Sequence, residues 1–293
     1  MSAGQSALAF RRTQARDLLL TALAPAIWGS SYIVTTQLLP QVPAMTVALL
    51  RALPAGLLLL VFARRLPQGV WWLRVFILGA LNFSVFWSML FVSAYRLPGG
   101  AAATVGAVQP LVVVFLAAWV LGSALRPASV LGALAGLAGV ALLVLTPGVR
   151  LDATGIAAGL AGAVSMACGT VLTRKWRPPV PLLTFTAWQL TAGGVLLLPV
   201  ALWAGPDFPA PTPGHLIGLA WLGLVGAALT YVLWFRGIAR LEPNMVAPLG
   251  FLSPLTAILL GWAFLDQTLT AVQMAGVALV LGGIWLGQRG PAR

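Results

Sequence analysis

Residues 42–56 read VPAMTVALLRALPAG, and residues 180–194 read VPLLTFTAWQLTAGG. Both stretches begin with Val-Pro, carry a threonine four residues after the valine and end in glycine, at a constant offset of 138. Further matches follow at an offset of 144, where Arg96-Leu97, Gly106, Pro110 and Gly132 correspond to Arg240-Leu241, Gly250, Pro254 and Gly276. Two constant offsets indicate a duplicated unit whose second copy has one longer loop, near residues 206–214.

Apolar stretches fill most of both copies. The chain is 60% hydrophobic and 8% charged, unlike a soluble domain. A membrane-crossing helix needs roughly 20 apolar residues, and ten such stretches are present, at 18–38, 43–63, 71–94, 98–121, 127–146, 154–173, 181–203, 216–236, 243–264 and 269–287. Each copy holds five, and because five is odd the second copy enters the membrane upside down.

We therefore predict an all-α polytopic membrane protein, with ten transmembrane helices in two inverted five-helix repeats around a central cavity. The predicted limits are a cytoplasmic tail at 1–17, a first repeat at 18–147, a second repeat at 148–288 and a cytoplasmic tail at 289–293. No separate soluble domain fits into the remaining connections.

The net charge of +12 indicates membrane orientation rather than a nucleic-acid surface. Arginine and lysine collect at the cytoplasmic ends of membrane spans. With the N-terminus inside, all cations except Arg51, Arg96 and Arg150 fall on the cytoplasmic side. We predict a bacterial-type inner-membrane protein with both termini in the cytoplasm, the lipid bilayer as partner and no nucleic-acid partner.

Prolines inside the predicted spans mark candidate interruptions, because each removes a backbone hydrogen bond. Pro110 and Pro254 occupy equivalent positions in the two repeats, and interrupted helices often line the substrate sites of transporters. A packing kink is the alternative. The candidate helix breaks or hinges are Pro25, Pro110, Pro248 and Pro254.

Three motifs allow close helix contacts: Gly132-x-x-x-Gly136, Gly155-x-x-x-Gly159 and Gly283-x-x-x-Gly287. We predict that they pack helices within one chain. This gives a monomer, with a homodimer as the alternative.

Several of these residues match a known family. Ile27-Trp28-Gly29-Ser30-Ser31, Leu50-Arg51 and the run from Pro254 through Leu265 to Gly276 and Gly283 resemble the EamA domain of the drug/metabolite transporter superfamily, and most of all YddG-type amino-acid exporters. The resemblance covers residues 18–288. It implies ten helices, a central cavity and export from the cytoplasm.

Arg51 lies about eight residues into its span, where a cation is costly and therefore a functional candidate. It can hold a substrate carboxylate, or instead bond helix carbonyls and serve structure. Aromatic and amide side chains supply the remaining candidates, and packing or interfacial roles are the alternative for the tryptophans. The predicted cavity lining is Trp28, Tyr32, Arg51, Asn82, Phe86, Trp87, Gln109, Trp188, Gln189, Tyr231, Trp234 and Ser253.

The predicted spans contain no Asp or Glu, which disfavours proton-coupled export of organic cations. The single histidine, the lack of a Gly-x-Ser-x-Gly motif and the lack of a metal-ligand cluster disfavour an enzyme. We predict no cofactor and no metal. The favoured function is export of small amphipathic metabolites, above all amino acids with aromatic or bulky apolar side chains, by alternating access. The alternatives are a multidrug or other metabolite exporter, an intramembrane enzyme and a passive scaffold.

Overall fold

The computed structural model describes residues 3–97, 99–145, 152–204, 209–266 and 268–288. Within these ranges the chain is helical and contains no strand. Ten helices in the described ranges are long and apolar enough to cross a membrane: α1 (Arg12–Leu38), α2 (Ala44–Ala63), α3 (Trp71–Ala94), α4 (Ala102–Leu121), α5 (Pro127–Val144), α6 (Ala153–Lys175), α7 (Leu182–Ala204), α8 (Pro213–Arg240), α9 (Pro243–Phe264) and α10 (Ala271–Gln288).

The ten predicted spans each coincide with one of these helices. The largest differences are at the start of α1 and the end of α8, where the helices are longer than predicted, and at the start of α4, which begins four residues later than predicted. The helix that contains α1 begins already at Ala3, so residues 3–17 of the predicted N-terminal tail are helical and continuous with the first span. The predicted C-terminal tail, 289–293, lies outside the described residues.

The packing of the helices follows the duplication. Helix α2 packs on its own equivalent α7, and α5 packs on its equivalent α10. Helix α3 packs on α6 as α8 packs on α1, and α4 packs on α6 as α9 packs on α1. Each of these contacts has a counterpart in which the two repeats exchange places, as a pseudo-twofold axis requires. The prediction of two inverted five-helix repeats is therefore confirmed.

Glycines bring α5 and α10, which pack on each other across the pseudo-twofold axis, into backbone contact. A Cβ atom on Gly132 would lie 2.6 Å from the carbonyl oxygen of Gly283, and one on Gly139 would lie 2.8 Å from that of Gly276. The offset of 144 relates Gly132 to Gly276 and Gly139 to Gly283, so the two contacts are equivalent in the two repeats. The glycine motifs of α5 and α10 therefore pack within one chain, as predicted.

Four helices contain irregular segments, and these also come in equivalent pairs. Helix α3 has a π-helical segment at Ala80–Ser84 and α8 has one at Trp221–Leu229. Helix α4 is divided at residues 107–108, and α9 contains a 3₁₀ segment at Ala247–Phe251. The prolines predicted the breaks in α4 and α9, but the π segments were not predicted.

The four candidate prolines differ in their positions relative to these breaks. Pro110 and Pro254 lie in the first turn of the second segment of α4 and α9, and Pro248 lies in the 3₁₀ segment. Pro25, in contrast, lies inside an uninterrupted α1, so the break predicted there is not observed. A proline can remain in a long helix when neighbouring helices support the freed backbone groups.

The glycine contact between α5 and α10 can be tested by its effect on stability. Gly283→Leu should destabilise the protein by about 1–3 kcal/mol, because the new side chain must separate α5 from α10. Gly282→Leu is the matched control, since no atom lies within 4 Å of a Cβ built there. Thermal unfolding of the purified protein in detergent measures both, and equal midpoints for the two variants would contradict the packing described.

Candidate functional site

A cavity of about 410 Å³ lies where the two repeats meet, within the roughly 300–1,000 Å³ typical of small-molecule sites. Its walls come from α1, α2, α3, α4, α6, α8 and α9, and they include the breaks of α4 and α9. Nine of the predicted lining residues are present: Trp28, Tyr32, Arg51, Phe86, Trp87, Gln109, Tyr231, Trp234 and Ser253. Pro110 and Pro254 also line it, whereas Pro25 and Pro248 do not.

Asn82 and Gln189 were wrongly assigned to the cavity. The Asn82 Nδ2 donates to Gln189 Oε1 at 2.8 Å and lies 3.3 Å from Thr173 Oγ1, so the two amides are partners between α3 and α7. Both side chains are buried. The sequence showed that these amides need partners in hydrocarbon, but not that each would find the other.

Trp188 was also wrongly assigned. Its Nε1 donates to the Arg65 carbonyl oxygen at 2.7 Å, and its ring packs in a cluster with Val75 and Phe185. This residue fastens the end of α2 to α7, away from the cavity.

Sequence reasoning missed part of the lining. On α1, Ser31 and Thr35 lie on the same face as Trp28, at helical spacings of three and seven residues that the sequence already contained. Met166 of α6 also lines the cavity, and it is the repeat equivalent of Trp28 at the offset of 138. The repeat alignment, applied to α1 and α6, would have found it.

An aromatic cluster forms one wall. The ring of Trp28 lies 5.0 Å from that of Tyr231 and 5.3 Å from that of Trp234, and Tyr231 lies 4.6 Å from Phe83. The Trp28 Nε1 donates to Thr230 Oγ1 at 2.9 Å, which fixes the indole. These separations are typical of favourable aromatic pairs, so the wall is preformed and largely apolar.

Arg51 provides the charge of the cavity. Its Nη2 donates to the Gly226 carbonyl oxygen at 2.7 Å, and its guanidinium carbon lies 5.1 Å from the Trp87 ring centroid. Gly226 belongs to the π segment of α8, and π segments often occur at functional sites. The Arg51 Nε has no hydrogen-bond partner among the described residues.

The contact of Arg51 has a neutral equivalent in the other repeat. The offsets of 138 and 144 relate Arg51 to Gln189 and Asn82 to Gly226. The Arg51–Gly226 and Gln189–Asn82 contacts are therefore the same helix contact in two copies. In one copy it is a buried amide pair, and in the other it carries a cation beside the cavity.

The cavity extends from the helix breaks to one face of the bundle, called here the opening face. Its lining reaches Thr36 near the end of α1, Ala44 at the start of α2 and Ala94 at the end of α3. All three positions lie at the connections on that face. A solute can therefore reach the aromatic wall from the opening face.

The other face, called here the closed face, is held together by polar contacts between helix ends. Glu242 forms an ion pair of 2.6 Å with Arg126, and the Asn244 Nδ2 donates to the Ala124 carbonyl oxygen at 3.0 Å. The Gln288 Nε2 donates to the Met245 carbonyl oxygen at 2.8 Å. These contacts fasten residues 242–246, at the start of α9, to the connection just before α5 and to α10.

Asp17 is a further contact of the closed face and corrects an expectation. The predicted spans held no acid, but α1 begins earlier than predicted and includes Asp17, whose exposed fraction is 6%. Its carboxylate pairs with Arg236 and lies 3.6 Å from Arg240. Trp28 is eleven residues away along α1, about 16 Å, so Asp17 belongs to the closed face and not to the cavity.

Comparisons with known proteins identify the family. Residues 16–145 and 153–287 each match the model of the EamA-like transporter family. Protein PecM of Dickeya dadantii is 43% identical over 263 residues, covering 89% of this chain and 88% of that protein. A probable amino-acid metabolite efflux pump of Salmonella typhimurium is 25% identical over 288 residues, covering 92% and 94%.

A solved crystal structure shares the fold, with a TM-score of 0.80 and 22% identity over 93% of this chain and 97% of that one. Together, the two family matches, the ten spans and the cavity between the repeats lead to one conclusion. The chain belongs to the EamA-like transporter family of membrane transporters.

Proposed function

We propose that this transporter exports small amphipathic metabolites across a bacterial inner membrane, above all amino acids with aromatic or bulky apolar side chains. The observation that carries the proposal is the cavity between the repeats, which combines an aromatic wall with one cation and opens to a single face. The relative from Salmonella, described as a probable amino-acid metabolite efflux pump, supports the same solute class.

The side chains of the cavity suit the parts of such a solute. The wall of Trp28, Tyr231 and Trp234 accepts an apolar side chain, and aromatic faces also attract an ammonium group. Arg51 retains donors that can bind a carboxylate. Gln109 and Ser253, at the two helix breaks, supply amide and hydroxyl oxygens that can accept from an ammonium group.

The distribution of cations supports an orientation and a transport cycle. Placing most arginines and lysines inside puts the closed face in the cytoplasm and the opening face outside. The structure is then the outward-open state, from which solute is released. Export requires a second state, reached by rocking of the two repeats, in which the helix ends at the closed face separate and those at the opening face come together.

An intramembrane enzyme remains the alternative of a different class. It would use His215 as a base, but the His215 backbone N–H donates to Thr212 Oγ1 at 3.2 Å and its Nδ1 accepts from the Thr212 N–H at 3.4 Å. These contacts cap the start of α8, and His215 is not part of the cavity lining. The matching family model is described as EamA-like transporters, and the Salmonella relative as a probable amino-acid metabolite efflux pump, which favours transport.

The solute class is testable by uptake into proteoliposomes. We expect labelled tryptophan and phenylalanine to enter faster than threonine or methionine. Trp28→Ala should slow tryptophan uptake by about 3–10-fold, as expected for aromatic contacts of about 0.5–1.5 kcal/mol. Trp119→Ala is the control, because Trp119 is 84% exposed on the lipid-facing surface. If none of the four amino acids moves above the level of empty vesicles, the amino-acid assignment is wrong.

The closed face is testable by accessibility. In a background with Cys168→Ser, a single cysteine replacing Ala247 of the cavity lining should react slowly with an impermeant maleimide added from the cytoplasmic side. Glu242→Gln and Asn244→Ala, combined, should increase that rate several-fold because they remove two of the contacts that fasten α9. Arg96→Gln serves as control, since it removes the exposed 3.9 Å ion pair with Asp152 at the opposite face. An unchanged rate in the combined variant would contradict the role assigned to these contacts.

A further inference from the structure

The charge of the cavity is unbalanced. Among the described residues that line it, Arg51 is the one charged side chain. Of the five acidic residues, Asp17, Asp152 and Glu242 pair with arginines at the two faces. Asp266 follows the end of α9, and Asp207 lies outside the described residues. Within the described part of the chain, the guanidinium of Arg51 therefore has a carbonyl and an aromatic ring as partners, but no carboxylate.

The buried side-chain groups of the lining that lack a hydrogen-bond partner are mainly donors. The Arg51 Nε and the Trp234 Nε1 are buried and have no partner among the described residues, and neither group can accept a hydrogen bond. The Ser31 Oγ, also without a partner, can act either way. Buried donors without partners are unfavourable. A bound solute that brings acceptor oxygens would relieve this cost, whereas one that brings only N–H groups would not.

The two contacts of Arg51 also fix its position. The bond to Gly226 and the stacking on Trp87 hold the guanidinium between α2, α3 and α8, adjacent to the aromatic wall. A carboxylate that meets Arg51 places an attached ring near that wall. In a site with little water, attraction between opposite charges and repulsion between like charges are both stronger than in bulk water.

We propose that the cavity selects its solutes by a carboxylate, and that aromatic monocarboxylates without an ammonium group are bound as well as the corresponding amino acids. Aromatic amines, which bring a positive charge and no acceptor, are rejected. This inference rests on the proposed function, since it assumes that the cavity is the solute site. It extends the solute class from amino acids to aromatic acids in general.

A matched series of indoles tests the proposal on the full-length protein in lipid nanodiscs. The ligands are tryptophan, indole-3-propionate, indole-3-propionamide and tryptamine, which share a ring but carry a zwitterion, an anion, a neutral amide and a cation. We expect indole-3-propionate to bind at least as tightly as tryptophan and about tenfold more tightly than the amide, with a difference of about 1.4 kcal/mol. Tryptamine should bind most weakly.

Arg51→Gln should abolish the preference for the acid over the amide, and Arg51→Lys should retain part of it. Arg74→Gln is the matched control, because Arg74 also stacks on tryptophans, at 5.0 Å from Trp71 and 5.5 Å from Trp176, but does not line the cavity. If Arg51→Gln does not fold, the four ligands on the unchanged protein decide.

Two outcomes would overturn the inference while leaving transport intact. One is tryptamine binding as tightly as indole-3-propionate, and the other is a folded Arg51→Gln variant with an unchanged ratio of acid to amide affinity. Failure of all four ligands, tryptophan included, would instead contradict the proposed function and the inference together.

Discussion

The constraint on which this structure depends is the absence of water in the membrane interior. Every backbone N–H and C=O must there find a partner within the protein, so irregular backbone is tolerated only where it is buried or lines a polar cavity. The breaks in α4 and α9 satisfy this condition, because both border the cavity between the repeats. The cavity is thus a place where such helices can be interrupted, and the interruptions bring Gln109 and Ser253 to it.

The duplication then sets how the two repeats meet. Glycines of α5 and α10 permit backbone contact on one part of the axis, and Gly56 and Gly194 permit it between α2 and α7, where a Cβ would lie within 2.5 Å of Thr191 N and 2.7 Å of Leu53 Cα respectively. Contacts this close hold the helices by dispersion, which drives association in lipid. Helix α2 also lines the cavity, together with α1, α3, α4, α6, α8 and α9.

Two inverted repeats of equal shape would give a site without preference for either face, and the side chains break this equivalence. Arg51 and Gln189 make equivalent contacts in the two repeats. The contact of Arg51 lies beside the cavity, whereas that of Gln189 belongs to a buried amide pair. At the faces, Arg240 and Arg96 are equivalent at the offset of 144. Arg240 shares the buried Asp17 with Arg236, whereas Arg96 lies 3.9 Å from a partly exposed Asp152. The same framework is therefore fastened at one face and open at the other.

The sequence alone determined the ten spans, the repeat and nine of the residues that line the cavity, because hydrophobic length, constant offsets and helical spacing are local or periodic properties. Trp28, Arg51 and Tyr231 could be selected in this way. Which face each helix turns to its neighbours is not local, and only the tertiary structure decided it. That is why Asn82 and Gln189 proved to be partners, why Trp188 bonds the Arg65 carbonyl, and why Asp17 lies buried between arginines that follow it by more than 200 residues. A polar side chain in hydrocarbon needs a hydrogen-bond partner, but which residue becomes that partner is decided only when the helices pack.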